Sequence, residues 1–246
     1  MRGVRSSIDG LGLQPVPEPR AKMTFVVYVE IGQKRTFAGA VDWPGWCRSG
    51  TDESSALQVL LAYGHRYQAV LRGTALAFNA PDKPSALRVV ERLKGTTTTD
   101  FGSPAVAPRQ DADKLNEADL LRHEMLLKAC WAAFDAAVRS AKGQVLHSGP
   151  RGGGRDLTTM IEHVREAEAA YVAKLGWPTP RAKSVPSTRI TAQLREAALE
   201  GLRASAAGHI PSMGLRGGKR WTARYFVRRT AWHVLDHGWE IEDRLS

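Results

Sequence analysis

Two histidines four residues apart on one helix leave the same face, one turn apart. His233 and His237 have that spacing in WTARYFVRRTAWHVLDHGWEIEDR, residues 221–244. Neutral imidazole nitrogen is a good donor for zinc, nickel or iron, and an enzyme site of this kind uses three protein ligands with one position left open. The HxxxH pair supplies two ligands. His163, in DLTTMIEHVREAEAAYVAKLGW at residues 156–177, is the candidate third. If the three meet, a divalent cation held there could lower the pKa of a bound water or activate a thiolate. By spacing alone the pair is equally compatible with solvated or core histidines, so the metal reading needs support from elsewhere in the chain.

Around the pair stand further candidates. Asp236 lies about 60° from His233 on the helical wheel, and Glu240 lies close in direction to both histidines. Either could orient an imidazole or act as a base, and either could instead be an exposed ion-pair partner. Six basic residues precede the histidines in RGGKRWTARYFVRR, residues 216–229. Of these, Arg220, Arg224 and Arg228 are the candidates for holding an anionic substrate or cofactor group at the mouth of a pocket. His65, His123, His147 and His209 have no partner at ligand spacing and read as solvated or structural. The glycines of GPRGGGR are followed by no Lys-Ser/Thr, so this is a connector and not a phosphate loop. No residue is assigned a catalytic role.

These side chains must be positioned by helices. Four segments with helical periodicity follow residue 113: residues 114–143, 156–177, 188–208 and 221–244, separated by Gly- or Pro-rich loops. In the first, Leu120, Met125 or Leu126, Leu127, Trp131, Phe134 and Val138 form the apolar side. In the last, Tyr225, Trp232 and Trp239 mark a second face, suited to the core of a bundle. Four such helices fit a four-helix bundle, which builds metal sites from inward-facing side chains.

The N-terminal part has a different period. MTFVVYVEIG alternates as a strand, and TFAGAVDWPGWCRSG reads as a second strand broken at Pro44-Gly45. Residues 52–73 then read as one helix capped by Thr51 or Asp52. PSALRVVERLKG is a closing element, helix or strand. Trp43 and Trp46 on the turn read as packing residues. The fold class expected is therefore α+β: a small sheet-and-helix domain over 23–95, a Thr/Pro/Asp-rich linker over 96–113, and an all-α bundle over 114–246, preceded by a disordered leader at 1–22.

Both parts resemble known families. The order of one histidine on the second helix (His163 in IEHVREAEAAY) and HxxxH on the fourth (His233 and His237 in RRTAWHVLDHGWEIEDR) resembles the metal triad of the DinB/YfiT-like superfamily of four-helix bundles. The resemblance implies that these three histidines are ligands. It also implies a divalent metal, together with the low-molecular-weight thiol cofactors that the family's transferases and isomerases use. The stretch AVDWPGWCRSGTDESSAL, with its strand, Pro-Gly turn, polar run and acid-capped helix, resembles the HicB family, whose partial RNase H-like fold serves as a binding or regulatory module.

Composition sets the remaining bounds. The chain of 246 residues is 43% hydrophobic and 24% charged, which is the balance of a folded domain and not of a disordered one. No apolar run approaches the roughly 18 residues of a membrane span. The leader lacks the apolar core of a signal peptide. Two distant cysteines, Cys47 and Cys130, read as reduced thiols in a cytoplasm. The net charge of +10 admits a nucleic-acid partner, but the basic residues are scattered and interleaved with acids. The leading expectation is a metal-dependent, thiol-linked transferase, isomerase or hydrolase acting on a small molecule, with homodimerisation left open. The alternative is a non-enzymatic regulatory protein whose HicB-like unit contacts protein or nucleic acid beside an inert bundle.

Overall fold

A computed structural model describes residues 24–149, 154–180, 187–215 and 217–245. The fold is mixed α+β, a small sheet followed by helices. The elements in order are β1 (Phe25–Ile31), β2 (Thr36–Ala40), β3 (Cys47–Gly50), α1 (Glu53–Ala62), α2 (Gly64–Leu71), β4 (Leu87–Lys94), α3 (Thr97–Asp100), α4 (Glu117–Ala141), α5 (Leu157–Leu175), α6 (Ser187–Ala206) and α7 (Ala223–Asp243). The leader at 1–22 lies outside the described residues, as do residues 150–153 of the Gly-rich loop, residues 181–186 and Arg216.

The sheet order is β3-β2-β1-β4. β1, β2 and β3 are joined by short antiparallel turns, whereas β4 runs parallel to β1. A parallel pair needs a crossover, and α1 and α2 supply it. The turn before β3 contains Gly45 at φ +97, a left-handed conformation that the expected Pro44-Gly45 break requires. The segment PSALRVVERLKG, which could have been helix or strand, forms β4, as its paired β-branched Val89 and Val90 favour.

Residues 52–73 form two helices, not one. Asp52 caps α1 as expected, its carboxylate accepting from the Ser55 amide at 2.8 Å. The chain then turns at Tyr63. There, the buried Trp46 indole donates to the Leu60 carbonyl at 2.8 Å, engaging an acceptor in the last turn of α1. The Tyr67 hydroxyl donates to the Pro44 carbonyl at 2.8 Å and fixes α2 over the same turn. Both tertiary hydrogen bonds sit in an aromatic cluster of Phe25, Trp43, Trp46, Tyr67 and Phe78. Local periodicity cannot reveal them.

The four long helices contact one another, and α7 packs most extensively on α4. The buried face of α4 is Leu126, Leu127, Cys130, Trp131, Phe134, Ala137 and Ala141, with Leu120 and Val138 at its margin. The aromatic face of α7 is buried elsewhere than its pattern implies. Trp232 meets Phe37 of β2 edge-on at 6.0 Å, and Trp239 meets Tyr63 at 5.1 Å. Trp232 therefore covers the sheet, Trp239 joins the main core at the α1–α2 corner, and Tyr225 packs on Trp221.

Residues 96–113, whose polar composition reads as a linker, are tied to both parts. Glu30 of β1 is fully buried and accepts from Thr99 Oγ1 and from the amides of Ala105 and Val106. On the other side, Tyr225 of α7 donates to the Ala105 carbonyl at 2.8 Å, and Arg229 donates to the Pro104 carbonyl. The segment is poor in apolar residues because its polar groups satisfy buried charges.

One buried carboxyl should make stability depend on pH. Glu168 of α5 accepts from the Trp131 indole N–H, and burial pushes its carboxyl up to about 7, against the opposing pull of Arg195. A carboxyl raised in the folded state contributes stability fully present below its ordinary value of 4.5 and lost as pH rises through about 7. The loss should be of order 3 kcal/mol by pH 8. Glu168→Gln should remove most of this slope, so urea denaturation at pH 5 and pH 8 should show the variant gaining on the wild type at the higher pH.

Candidate metal centre

α5 and α7 present the three histidines. α5 starts where Asp156 caps it, its carboxylate accepting from the Thr159 amide at 2.8 Å, so that His163 projects from its second turn. α7 starts at Thr222, whose hydroxyl accepts from the Tyr225 amide at 3.3 Å. The two helices pack side by side. Their contact brings one ligand atom from each of His163, His233 and His237 within 4.8 Å of the others.

The closest approach is 3.2 Å, between Nε2 of His163 and Nε2 of His233. Two nitrogens bound at 2.0–2.1 Å to one tetrahedral ion stand about 3.3 Å apart, so this pair already has the spacing of co-ligands. His237 has its ring 4.7 Å from that of His233 and 5.0 Å from that of His163. Burial, together with the neighbouring imidazoles, holds His233 well below the usual histidine range. Burial first, then His237 and Arg155, lowers His163 as well. Both are therefore neutral near pH 7, the state in which an imidazole can donate a lone pair. His233 Nδ1 is buried without a hydrogen-bond partner, so its ring is fixed by packing.

Of the two carboxylates flagged by spacing, only Glu240 reaches the cluster. Its Oε2 lies 3.0 Å from His237 Nδ1, and that hydrogen bond is the first cause that lowers the Glu240 carboxyl. With Nδ1 donating to Glu240, the nitrogen of His237 left to act as a donor is Nε2. Arg244 holds the other Glu240 oxygen at 3.3 Å while donating to the carbonyls of His147 and Arg155. Asp236 points the other way, toward β3, and accepts from Arg48 Nη1 at 2.7 Å. A wheel angle of 60° permits either outcome, and the sheet beside α7 decided it.

The three arginines proposed as anion holders are committed to the fold. Arg228 is buried and donates to both oxygens of Asp111 and to the carbonyls of Ala40 and Val41. Arg224 pairs with Asp119 and reaches the Asp113 carbonyl at 3.2 Å. Arg220 donates to the Pro211 carbonyl at 3.2 Å. Sequence spacing cannot see these partners, which lie up to 188 residues away.

Two neighbours of the cluster were not singled out beforehand. Tyr171 has its ring 5.7 Å from that of His233, and Arg229 donates to the Tyr171 hydroxyl at 3.3 Å. Both could have been found by helical period, since Tyr171 is eight residues after His163 and Arg229 four before His233. Cys47 and Cys130 are buried, and burial raises both thiols far above neutrality, so neither is available as a nucleophile. His123 is buried against the Asp119 carbonyl at 2.6 Å, and His65 is exposed 3.5 Å from Asp82. No helix among the described residues is long and apolar enough to cross a membrane.

No family model matches the chain, and no curated protein or solved structure does either.

The structural role of Arg228 is open to test. Arg228→Met leaves the Asp111 carboxylate buried and unpaired, and should cost about 3–5 kcal/mol in a urea denaturation series. Adding Asp111→Ala should recover a large part of that loss, because the stranded charge is then gone.

Proposed function

We propose that this chain is a divalent-metal protein of enzyme type, with His163, His233 and His237 holding one cation. The observation that carries the reading is the convergence of three imidazoles, His163 and a pair on α7 that begins 70 residues further on, with one ligand atom of each within 4.8 Å of the others. The order of the histidines along the helices supports reading residues 114–246 as a DinB/YfiT-like four-helix bundle. Residues 23–95 are read as a HicB-like unit, in keeping with a β-β-β-α-α-β order.

When bound, the metal would supply Lewis acidity toward a water or a thiolate, which suits a thiol-linked transfer or isomerisation, or a hydrolysis. The chain's own residues do the rest. Glu240 fixes the His237 ring and its tautomer, and Arg244 fixes Glu240. The Tyr171 hydroxyl, held by Arg229, stands beside the ligand ring of His233 as a hydrogen-bonding group for a substrate. His163 is only partly buried, so a small molecule approaches from its side. Zinc, nickel and iron all accept three nitrogen donors, and the donor set favours any of them over magnesium or calcium.

The test is metal content. Protein purified without a polyhistidine tag and dialysed against zinc should retain about one equivalent. His163→Ala and His237→Ala should each reduce that to background. Glu240→Gln should keep the fold and weaken affinity by about 10–100-fold. A wild-type protein that retains no zinc, nickel or iron would overturn the assignment.

A further inference from the structure

A cavity of about 490 Å³ lies between the sheet and α7, floored by Phe37 and Trp232 and walled by Arg35, Arg48, Asp236 and Glu240 among others. Its size is that of a small-molecule site. It adjoins the histidine cluster through Glu240, whose carboxylate holds His237. Neither part of the chain forms it alone: β2, β3 and the turn before β2 supply one wall, α7 with Arg244 another, and Gly102, Ser148 and Gly149 complete the lining.

The guanidinium groups and carboxylates lining it are equal in number but are not paired one to one. Asp236 is paired with Arg48 at 2.7 Å, Asp243 with Arg66 at 2.7 Å, and Glu240 with Arg244 at 3.3 Å. Each acid therefore already has a guanidinium, that of Arg66 being shared with Glu242 at 2.6 Å. Arg35 is different. Its Nη1 donates to the Ser49 hydroxyl at 3.4 Å, and it has no carboxylate partner among the described residues. Ser49, accepting from Arg35, keeps its own O–H to donate. The cavity thus presents one unmatched guanidinium beside one hydroxyl donor, at the rim of an edge-to-face aromatic pair.

From this we propose that the cavity binds a small organic carboxylate, with the carboxylate on Arg35 and Ser49 and the apolar body on Phe37 and Trp232. A planar guanidinium is the matching donor for a carboxylate. Phe37 and Trp232 are 2% and 4% exposed, so a ligand's apolar body meets only the edges of these rings and the guanidinium carries most of the recognition. Arg35 thereby takes the anion-holding role: Arg224 and Arg228 are already paired with acids, and Arg220 lies outside this cavity. The proposal deepens the metal-centre reading, since a ligand seated here reaches toward Glu240, but the carboxylate site itself does not depend on a metal.

The experiment uses benzoate as probe and benzyl alcohol as its uncharged counterpart, on the full chain labelled with nitrogen-15. The indole N–H signals of the tryptophans are followed by NMR, and Trp232→Phe identifies the signal of residue 232. Benzoate should shift that signal saturably, and benzyl alcohol should not at equal concentration. Arg35→Gln, at a half-exposed turn position where the fold is not at risk, should weaken benzoate binding about tenfold or more, with Arg35→Lys intermediate. The proposal is overturned if benzoate leaves the Trp232 signal unmoved, if benzyl alcohol binds as well, or if Arg35→Gln binds benzoate like the wild type. His237→Ala separates the two readings. It should lose metal yet keep benzoate binding, whereas a wild type that binds benzoate and no metal would sink only the metal centre.

Discussion

α7 is buried along most of its 21 residues, yet it carries Arg228, Arg229, His233 and His237 on its buried surface. A helix buried all round is ordinarily apolar, because every polar group withdrawn from water must find a partner inside the protein. That requirement organises much of the structure. The sheet offers the carbonyls of Ala40 and Val41 to Arg228, while the segment between the sheet and the long helices offers Asp111 to Arg228 and the Pro104 carbonyl to Arg229. Glu30 anchors that same segment from β1. The sheet, the connecting segment and the long helices are held together by the polar groups of one helix.

The two histidines belong to the same helix but are treated differently. Arg228 is paired with Asp111, and Arg229 donates to the Pro104 carbonyl and to the hydroxyls of Ser103 and Tyr171, with its Nε buried and unpartnered. Burial lowers His233, which meets His163 at 3.2 Å and lies beside His237, while His237 is held by the Glu240 carboxylate. Three lone-pair donors directed at one small volume are poorly satisfied by one another, because two neutral nitrogens can share a proton but three cannot all be accommodated. A cation satisfies all three at once. His163 and His233 have no acid within ion-pair distance among the described residues, and the one acid that reaches the cluster, Glu240, holds His237 Nδ1 and leaves its Nε2 to face a cation.

The cavity beside Glu240 is another consequence of docking a sheet against this helix. Trp232 and Asp236 face the sheet, where they meet Phe37 and Arg48, and the space left between these contacts and the turn before β2 is the chamber. The sheet is therefore part of the neighbourhood of the histidine cluster, and a change in residues 35–49 would be felt at α7.

Much of this was legible in the sequence because it depends on local periodicity and capping. Asp52 and Asp156 start α1 and α5, and the 3.6-residue period marks the four long helices. His233 and His237 were certain to share a face, and their relation to His163 was an inference from order along the chain. Only tertiary structure could decide the rest. It split residues 52–73 at Tyr63 through hydrogen bonds from Trp46 and Tyr67, and turned Asp236 to Arg48 while leaving Glu240 on His237. It also gave Arg220, Arg224 and Arg228 internal partners and left Arg35 with Ser49 and no carboxylate partner among the described residues. The reason is physical. Backbone caps and helical faces are set by residues within a turn of each other, whereas the partner of a long charged side chain is whichever opposite group the packed chain brings within about 3 Å, at any separation in sequence.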